Sequence, residues 1–410
     1  MPTNVALRQL LTGDPIVITG EGAVTRFGAG AEPLWQAIGD CLRGGDWLHF
    51  ATPAGEHRVA AASAGDLPAH PLRGKVDRSV LMALMAGTEA WAQAGGPGIA
   101  PPEEVAVVAG TSRGPSHVWS AIEKNLQSSR RLPPRLAVSG TLASLSGAIA
   151  QATGALGPGH TVSATCASGA NALVAAAEML LLGKARAVIA GGADAPLTPG
   201  VLLGMESAGL LAHHDLDPSL ACRPFDRDRN GLLPGEGAAF FVLERKSHAT
   251  ARGARILGTL AGWATATDGE GRAGVAADGH ALHRVMQQAL DLAGLAPWKI
   301  QYVNTHGTGT PLNDRAEATA LRRLFGPAIP PLSSTKAITG HCLGASPAIE
   351  TLLCLRALRE GFLPAAVNTF HPCFDLPFIP EPGLSCHATH ALSTSLGFWG
   401  YHAALVFSAG

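Results

Sequence analysis

With 410 residues, 47% hydrophobic and 15% charged, the chain can bury a large core, which excludes a disordered protein. A net charge of −1 and a pI near 7 exclude bulk attraction to nucleic acid or to an anionic membrane surface. No apolar run reaches the roughly 18 residues of a membrane span, and no basic-then-apolar leader opens the chain, so a soluble, cytoplasmic protein is expected.

Residues 1–13 read as a short extension. The runs PIVITG (15–20) and EVAVVAG (104–110) are uninterrupted apolar stretches of strand length. An Ala-rich helix pattern covers 167–183, followed by strands at 185–192 (ARAVIAGG) and 238–244 (AAFFVLE). The charged stretch 245–255 makes a plausible joint. Beyond it, strands are expected at 256–265 and 300–304, helices at 282–294, 314–325 and 348–361, and two strands around a Gly-containing turn at 391–407. Continuous apolar strands alternating with helices imply sheets covered on both faces. The shared rhythm suggests two similar α/β halves, 14–247 and 254–410, built on one core. Seven cysteines stand at 41, 166, 222, 342, 354, 373 and 386, an odd number without a CxxC pair. Neither a disulfide framework nor a metal site is expected.

One cysteine has a distinctive setting. TVSATCASGAN (161–171) runs from an apolar strand through a turn into a helix, with Cys166 at the helix N-terminus. Free N–H groups and the helix dipole lower a thiol's pKa there. A cysteine in small-residue surroundings is equally compatible with a buried packing role. Two polar, Gly-rich segments add to the first reading. NTHGTGTPLND (304–314) places His306 just after a strand, and SSTKAITGHCLG (333–344) carries Lys336 and His341. Loops at strand C-terminal ends are where open α/β sheets bind ligands. Two neutral imidazoles can donate two N–H groups to one developing oxyanion.

In these segments, together with RPFDRDRNG (223–231) and PGEG (234–237), the chain resembles the β-ketoacyl synthases, condensing enzymes of fatty-acid and polyketide synthesis in the thiolase superfamily. The resemblance spans residues 15–408. It implies a five-layer αβαβα fold of two similar halves. It implies that Cys166 accepts the acyl chain, that His306 and His341 hold the malonyl thioester oxygen during decarboxylation, and that Lys336 supports the site by pairing with Glu350. By the same resemblance Thr308 and Thr310 touch the pantetheine arm, and the backbone N–H groups of Cys166 and Phe398, beside Gly397, form an oxyanion hole. Asp226 and Glu236 are implied to be structural. The implied partners are an acyl carrier protein, malonyl and acyl thioesters, and a second ketosynthase subunit, identical or related. No cofactor is implied, because phosphopantetheine arrives on the carrier.

The chain departs from the family in several places. Where elongating members usually read GFGGTN, this chain has GFWGYH, placing Trp399, Tyr401 and His402 in a loop that gates the acyl pocket. A tryptophan there is expected to remove positive-φ freedom and stiffen the gate; packing elsewhere is the alternative. Pro347 replaces a usual Gly or Ala and fits the first turn of a helix. Residues 26–77 diverge, and 110–116, near which the family shapes its acyl pocket, match only loosely. Arg130, Arg131 and Arg135 form a basic stretch, either a docking patch for an acidic carrier or a solvated face. Three other functions compete. A biosynthetic thiolase typically has a C-terminal catalytic cysteine that this loop lacks. A malonyl decarboxylase variant has Gln in place of Cys166. A non-catalytic chain-length subunit usually lacks the cysteine.

Overall fold

The computed structural model describes residues 2–52, 55–128, 131–269 and 274–410. The strands of its main sheet are β1 (Ile16–Thr25), β2 (Val105–Gly110), β3 (Gly159–Val162), β4 (Ala187–Asp194), β5 (Gly237–Arg245), β6 (Gly258–Thr267), β7 (Tyr302–Asn304), β8 (Leu332–Ser333), β9 (His390–Gly397) and β10 (Tyr401–Ser408). The helices that matter here are α1 (Pro2–Gly13), α2 (Arg78–Ala94), α3 (Ser116–Gln127), α4 (Ser144–Thr153), α5 (Ser168–Leu181), α6 (Pro199–Ser207), α7 (His280–Ala293), α8 (Pro311–Phe325) and α9 (Ser346–Glu360). The segment expected to be a plain extension is thus the helix α1. Its Leu11 is buried, and an apolar anchor of this kind is what orders a terminal helix.

The strands lie in the order β8-β7-β9-β10-β6-β1-β5-β4-β2-β3, with the short strand Gly28–Ala29 added to β1. The order β1-β5-β4-β2-β3 is repeated by β6-β10-β9-β7-β8, and strand directions repeat with it. Thus β2 pairs in parallel with β3 and β4, and β7 with β8 and β9. The pairs β4–β5, β5–β1, β9–β10 and β10–β6 are all antiparallel. The two halves join where Ile16–Ile18 pair with Gly258–Leu260, so the sheet runs through both.

Side-chain alternation builds the layers. In β2, Val105, Val107 and Ala109 face outward onto α2 and α4, while Ala106 and Val108 face inward onto α5. In β10, Ala404 and Val406 face α7 and α8, while Ala403, Leu405 and Phe407 face α9. The central helices α5 and α9 therefore lie between the two half-sheets, giving five layers. Both faces of β1, β2, β4 and nearly all of β5 are buried, which is why these strands read as unbroken apolar runs. Each fully buried Leu, Ile or Phe adds roughly 1.5–3 kcal/mol. Buried charge ties the halves together: Glu21 on β1 accepts from Arg356 and Arg359 of α9, each at 2.8 Å. The charged joint is likewise anchored, because buried Glu244 takes Arg252 at 2.5 Å.

Candidate active site

The repeat places two connections at equivalent points. After β3 the chain turns through Cys166 into α5. After β8 it turns through Lys336 and His341 into α9. Thr165, the residue before the nucleophile candidate, has φ 49°, where a side chain is crowded. Ser168 Oγ holds this turn. It accepts from the Ala164 N–H at 2.9 Å and donates toward Thr165 O at 2.6 Å and Thr111 O at 3.1 Å. Across the site, the His306 and Gly307 N–H groups donate to the two oxygens of Glu317, each at 2.8 Å, and Thr394 donates to the same carboxylate at 2.5 Å. These bonds fix the His306 loop to the first turns of α8 and to β9. Pro347 is the second residue of α9 and needs no intrahelical donor there.

One cavity of about 300 Å³ is lined by Cys166, His306, His341, Thr308, Thr310, Gly397 and Phe398. The two imidazoles meet edge to face, with centroids 5.1 Å apart at 85°. Burial, and then the positive charge of Lys336, push both histidines well below the ordinary range. Both are therefore neutral near pH 7, and each has one N–H to donate. His341 Nδ1 lies 3.0 Å from Ser346 Oγ, whereas His306 Nδ1 is buried without a partner among the described residues. Lys336 Nζ and Glu350 form a short, buried ion pair just behind the histidines. Burial pushes Glu350 up to about 7 despite Lys336.

Cys166 corrects one expectation. Burial, and then Asp194, push its thiol up to about 12; Lys336, Arg113 and the Phe398 backbone N–H pull the other way without prevailing. The first residue of α5 is Ser168, so Cys166 lies short of the helix, in a dry apolar cluster. Desolvation outweighs the dipole. Cys166 is a thiol at rest, and its proton must leave when it attacks. His306 and His341 are the uncharged bases lining its cavity.

Gly397 is required by close approach. A Cβ there would lie 2.1 Å from Thr165 Oγ1 and 3.2 Å from Cys166 N. This contact lets the Phe398 N–H reach the Cys166 sulfur. The next residue corrects a second expectation. Trp399 does not lose the positive-φ conformation but adopts it, with φ 62° and ψ 22°, and leaves its side chain 63% exposed. Tyr401 packs on the central core, and buried His402 faces Asp268 at 3.8 Å.

Sequence reasoning missed the supporting carboxylates. Asp194, at the end of β4, accepts from Thr111 Oγ1 and from the N–H groups of Ser112, Arg113 and Gly344, all at 2.8–2.9 Å. It joins three loops around the nucleophile. Glu317 does the same for His306, and burial pushes it up to about 7. A helical acidic residue shortly after the His306 loop was the available signal. Asp226 and Glu236 are buried and bonded to His371 N–H and to Arg78, away from the cavity lining. Arg131 and Arg135 are exposed and also outside it; Arg130 lies outside the described residues.

With this geometry in place, comparison with known proteins is informative. The β-ketoacyl synthase N-terminal domain family matches residues 61–249, and its C-terminal domain family matches 257–370. The chain is 32% identical to the 3-oxoacyl-[acyl-carrier-protein] synthase 2 of Staphylococcus aureus (strain COL), over 96% of this chain and 97% of that one. It is similar to a type II polyketide ketosynthase solved with its acyl-carrier protein and bound to a hexaketide. There the TM-score is 0.87 at 28% identity, over 97% and 99% of the two chains. The ishigamide ketosynthase/chain length factor is also similar, with TM-score 0.87, 26% identity, and 97% and 99% coverage. A five-layer α/β chain with a cysteine and two neutral histidines in one cavity, matched over nearly its whole length, belongs to the β-ketoacyl synthase family of acyltransferases.

Proposed function

We propose that this chain is a β-ketoacyl-acyl-carrier-protein synthase that joins a Cys166-bound acyl chain to a malonyl group with loss of CO₂. The observation that carries the reading is the single cavity shared by Cys166 and two neutral histidines.

The residues divide the work in two stages. The Cys166 sulfur attacks the acyl thioester carbonyl while the backbone N–H groups of Cys166 and Phe398 hold the oxyanion. The carrier's thiol leaves with the proton. A malonyl thioester then enters along Thr308 and Thr310. In the tautomer in which Ser346 donates to His341 Nδ1, the ring's proton is on Nε2 and is offered to the malonyl thioester oxygen together with the N–H of His306. As CO₂ departs, its bonding electrons form an enolate, which those two donors stabilise. The enolate carbon attacks the acyl–Cys166 thioester, and the Cys166 sulfur leaves as a thiolate that takes up a proton from solvent to restore the resting thiol. Burial, reinforced by Lys336 held on Glu350, keeps both imidazoles neutral, so they act as donors and bases rather than as cations.

The phosphopantetheine belongs to the substrate, and these steps use no other organic cofactor or metal. The partners in this reading are an acidic acyl carrier protein and a second ketosynthase chain, identical or related; the setting is the cytoplasm. The supporting findings are a solved relative with its carrier protein and another that pairs a ketosynthase with a chain length factor.

Mass spectrometry of the protein incubated with acyl-carrier thioesters, then with malonyl-carrier, tests the reading. The expected result is a mass increase at Cys166, followed by an extended β-keto product. If no thioester acylates Cys166, the catalytic reading fails and a chain-length subunit replaces it.

A further inference from the structure

The acyl chain that leaves Cys166 needs a place to lie. Cys166 belongs to an apolar cluster with Leu202, Met205 and Leu343, against which Val201 packs. Val201 also lines a second cavity, of about 540 Å³, between α3 and α6. Its other walls include Trp119, Leu126 and Arg113. Apolar side chains of α6 therefore lie between Cys166 and this second cavity.

Arg113 is the unusual member of this lining. It lies in the turn after β2, directly against the Cys166 turn: Thr111 O takes the Ser168 hydroxyl, and Thr111 N–H donates to Val162 O at 3.1 Å. Its backbone N–H is used by Asp194 at 2.9 Å. Its guanidinium forms no ion pair or side-chain hydrogen bond with any described residue. Asp194 does not need it, because four other donors already satisfy that carboxylate. Glu123 is the carboxylate lining the same cavity, and it accepts from Gln127 at 3.3 Å. Arg113 is close enough to Cys166 for its charge to lower the thiol's pKa.

An unpaired guanidinium beside Trp119 and Leu126 gains nothing from a plain alkyl chain. Its planar fork of donors matches a carboxylate, while the apolar walls suit a methylene stem. We propose that Arg113 and the cavity between α3 and α6 form a subsite for the far end of the acyl chain, selecting a chain that ends in a carboxylate. This rests on the ketosynthase reading above and deepens it. The bound chain runs from the Cys166 sulfur past Leu202 and Val201 and ends on the Arg113 guanidinium.

The test uses pairs of carrier-bound thioesters of equal length, one a straight alkyl chain and one with a terminal carboxylate, across a series of lengths. Initial acylation of Cys166 is read by intact mass and peptide mapping. Because Arg113 is exposed, an ion pair of this kind predicts a preference for the carboxylate of up to about fivefold at one or two lengths. Arg113→Leu should bring the ratio to about one, and Arg113→Lys should keep part of it, since the charge remains without the fork. The subsite is overturned if the parent shows no preference at any length or if Arg113→Leu retains the preference. An unchanged ratio with an altered oligomeric state in size-exclusion chromatography also overturns it, assigning Arg113 to a subunit contact. If neither thioester type acylates Cys166, the ketosynthase reading falls and the subsite falls with it.

Discussion

Gly397→Ala isolates the role of the close contact between the β9–β10 turn and the nucleophile turn. The backbone at Gly397 is extended, with φ −131° and ψ 161°, so alanine carries no conformational penalty there. Space is the whole obstacle. The new methyl would lie 2.1 Å from Thr165 Oγ1, 3.2 Å from Cys166 N and 3.3 Å from Ala164 O. Rotating the threonine would relieve the first contact and leave two tight backbone contacts. The turns must therefore separate, which draws the Phe398 N–H away from Cys166. Removing one preorganised oxyanion donor costs on the order of 10²–10³ in rate, or about 3–4 kcal/mol. The assay is the initial rate of Cys166 acylation by mass spectrometry, with thermal melting as a check on folding. Adding Thr165→Gly should recover only part of the rate, because it removes the hydroxyl and suits φ 49° but leaves the two backbone contacts. An acylation rate equal to the parent's in Gly397→Ala would refute the argument, as would a double variant no faster than the single one.

Other outcomes follow from the same structure. Lys336→Met leaves Glu350 buried and unpaired and should cost about 3–5 kcal/mol, while Lys336→Met/Glu350→Leu recovers part of it; equal denaturant midpoints for the two variants would contradict this. Trp399→Gly removes a left-handed strain of roughly 1–2 kcal/mol, against up to ~1 kcal/mol of extra unfolded-state entropy, so its melting temperature should rise modestly and its acyl-chain range should widen. Unchanged melting and an unchanged range would remove both the strain and the gating roles. The depressed histidines make stability fall as pH drops below about 6.5, since the unfolded state then binds more protons, by up to about 1.4 kcal/mol per pH unit for each ring. Glu317 and Glu350, pushed up to about 7, act in the opposite sense between roughly pH 4.5 and 7, so the histidine share must be read as a difference. His341→Asn should flatten the acid limb of stability against pH, and an identical limb would refute neutral burial.

The catalytic positions were legible because each sits in a contiguous, compositionally odd segment: Cys166 among small residues, His306 and His341 among glycines and threonines. The strands β1, β2, β4 and β5 were legible because both faces are buried almost throughout and no polar alternation interrupts them, whereas the exposed β3 and the two-residue β8 were not read as elements of their own. What local sequence could not carry was surroundings. The sign of the Cys166 shift depends on side chains from α6 and on Leu343, far away in the chain. Asp194 and Glu317 look like ordinary acidic residues until the fold points backbone N–H groups at them from two loops and from one. Trp399 was misread because residue type argues against φ > 0, whereas the tight β9–β10 turn demands it and the exposed ring lets the side chain escape contact.

The crossing of the central helices has a mechanical consequence. A Cβ on Gly169 would stand 2.9 Å from Gly344 O and 3.1 Å from Ala348 N, so α5 and the start of α9 touch backbone to backbone. Cys166 precedes one of these helices and His341 the other. The reach from nucleophile to oxyanion donor is therefore gauged by a contact between two glycines, Gly169, three residues after Cys166, and Gly344, three residues after His341. Bulk added there would act as a wedge, opening the distance across which the new carbon–carbon bond must form while leaving every reacting group chemically intact.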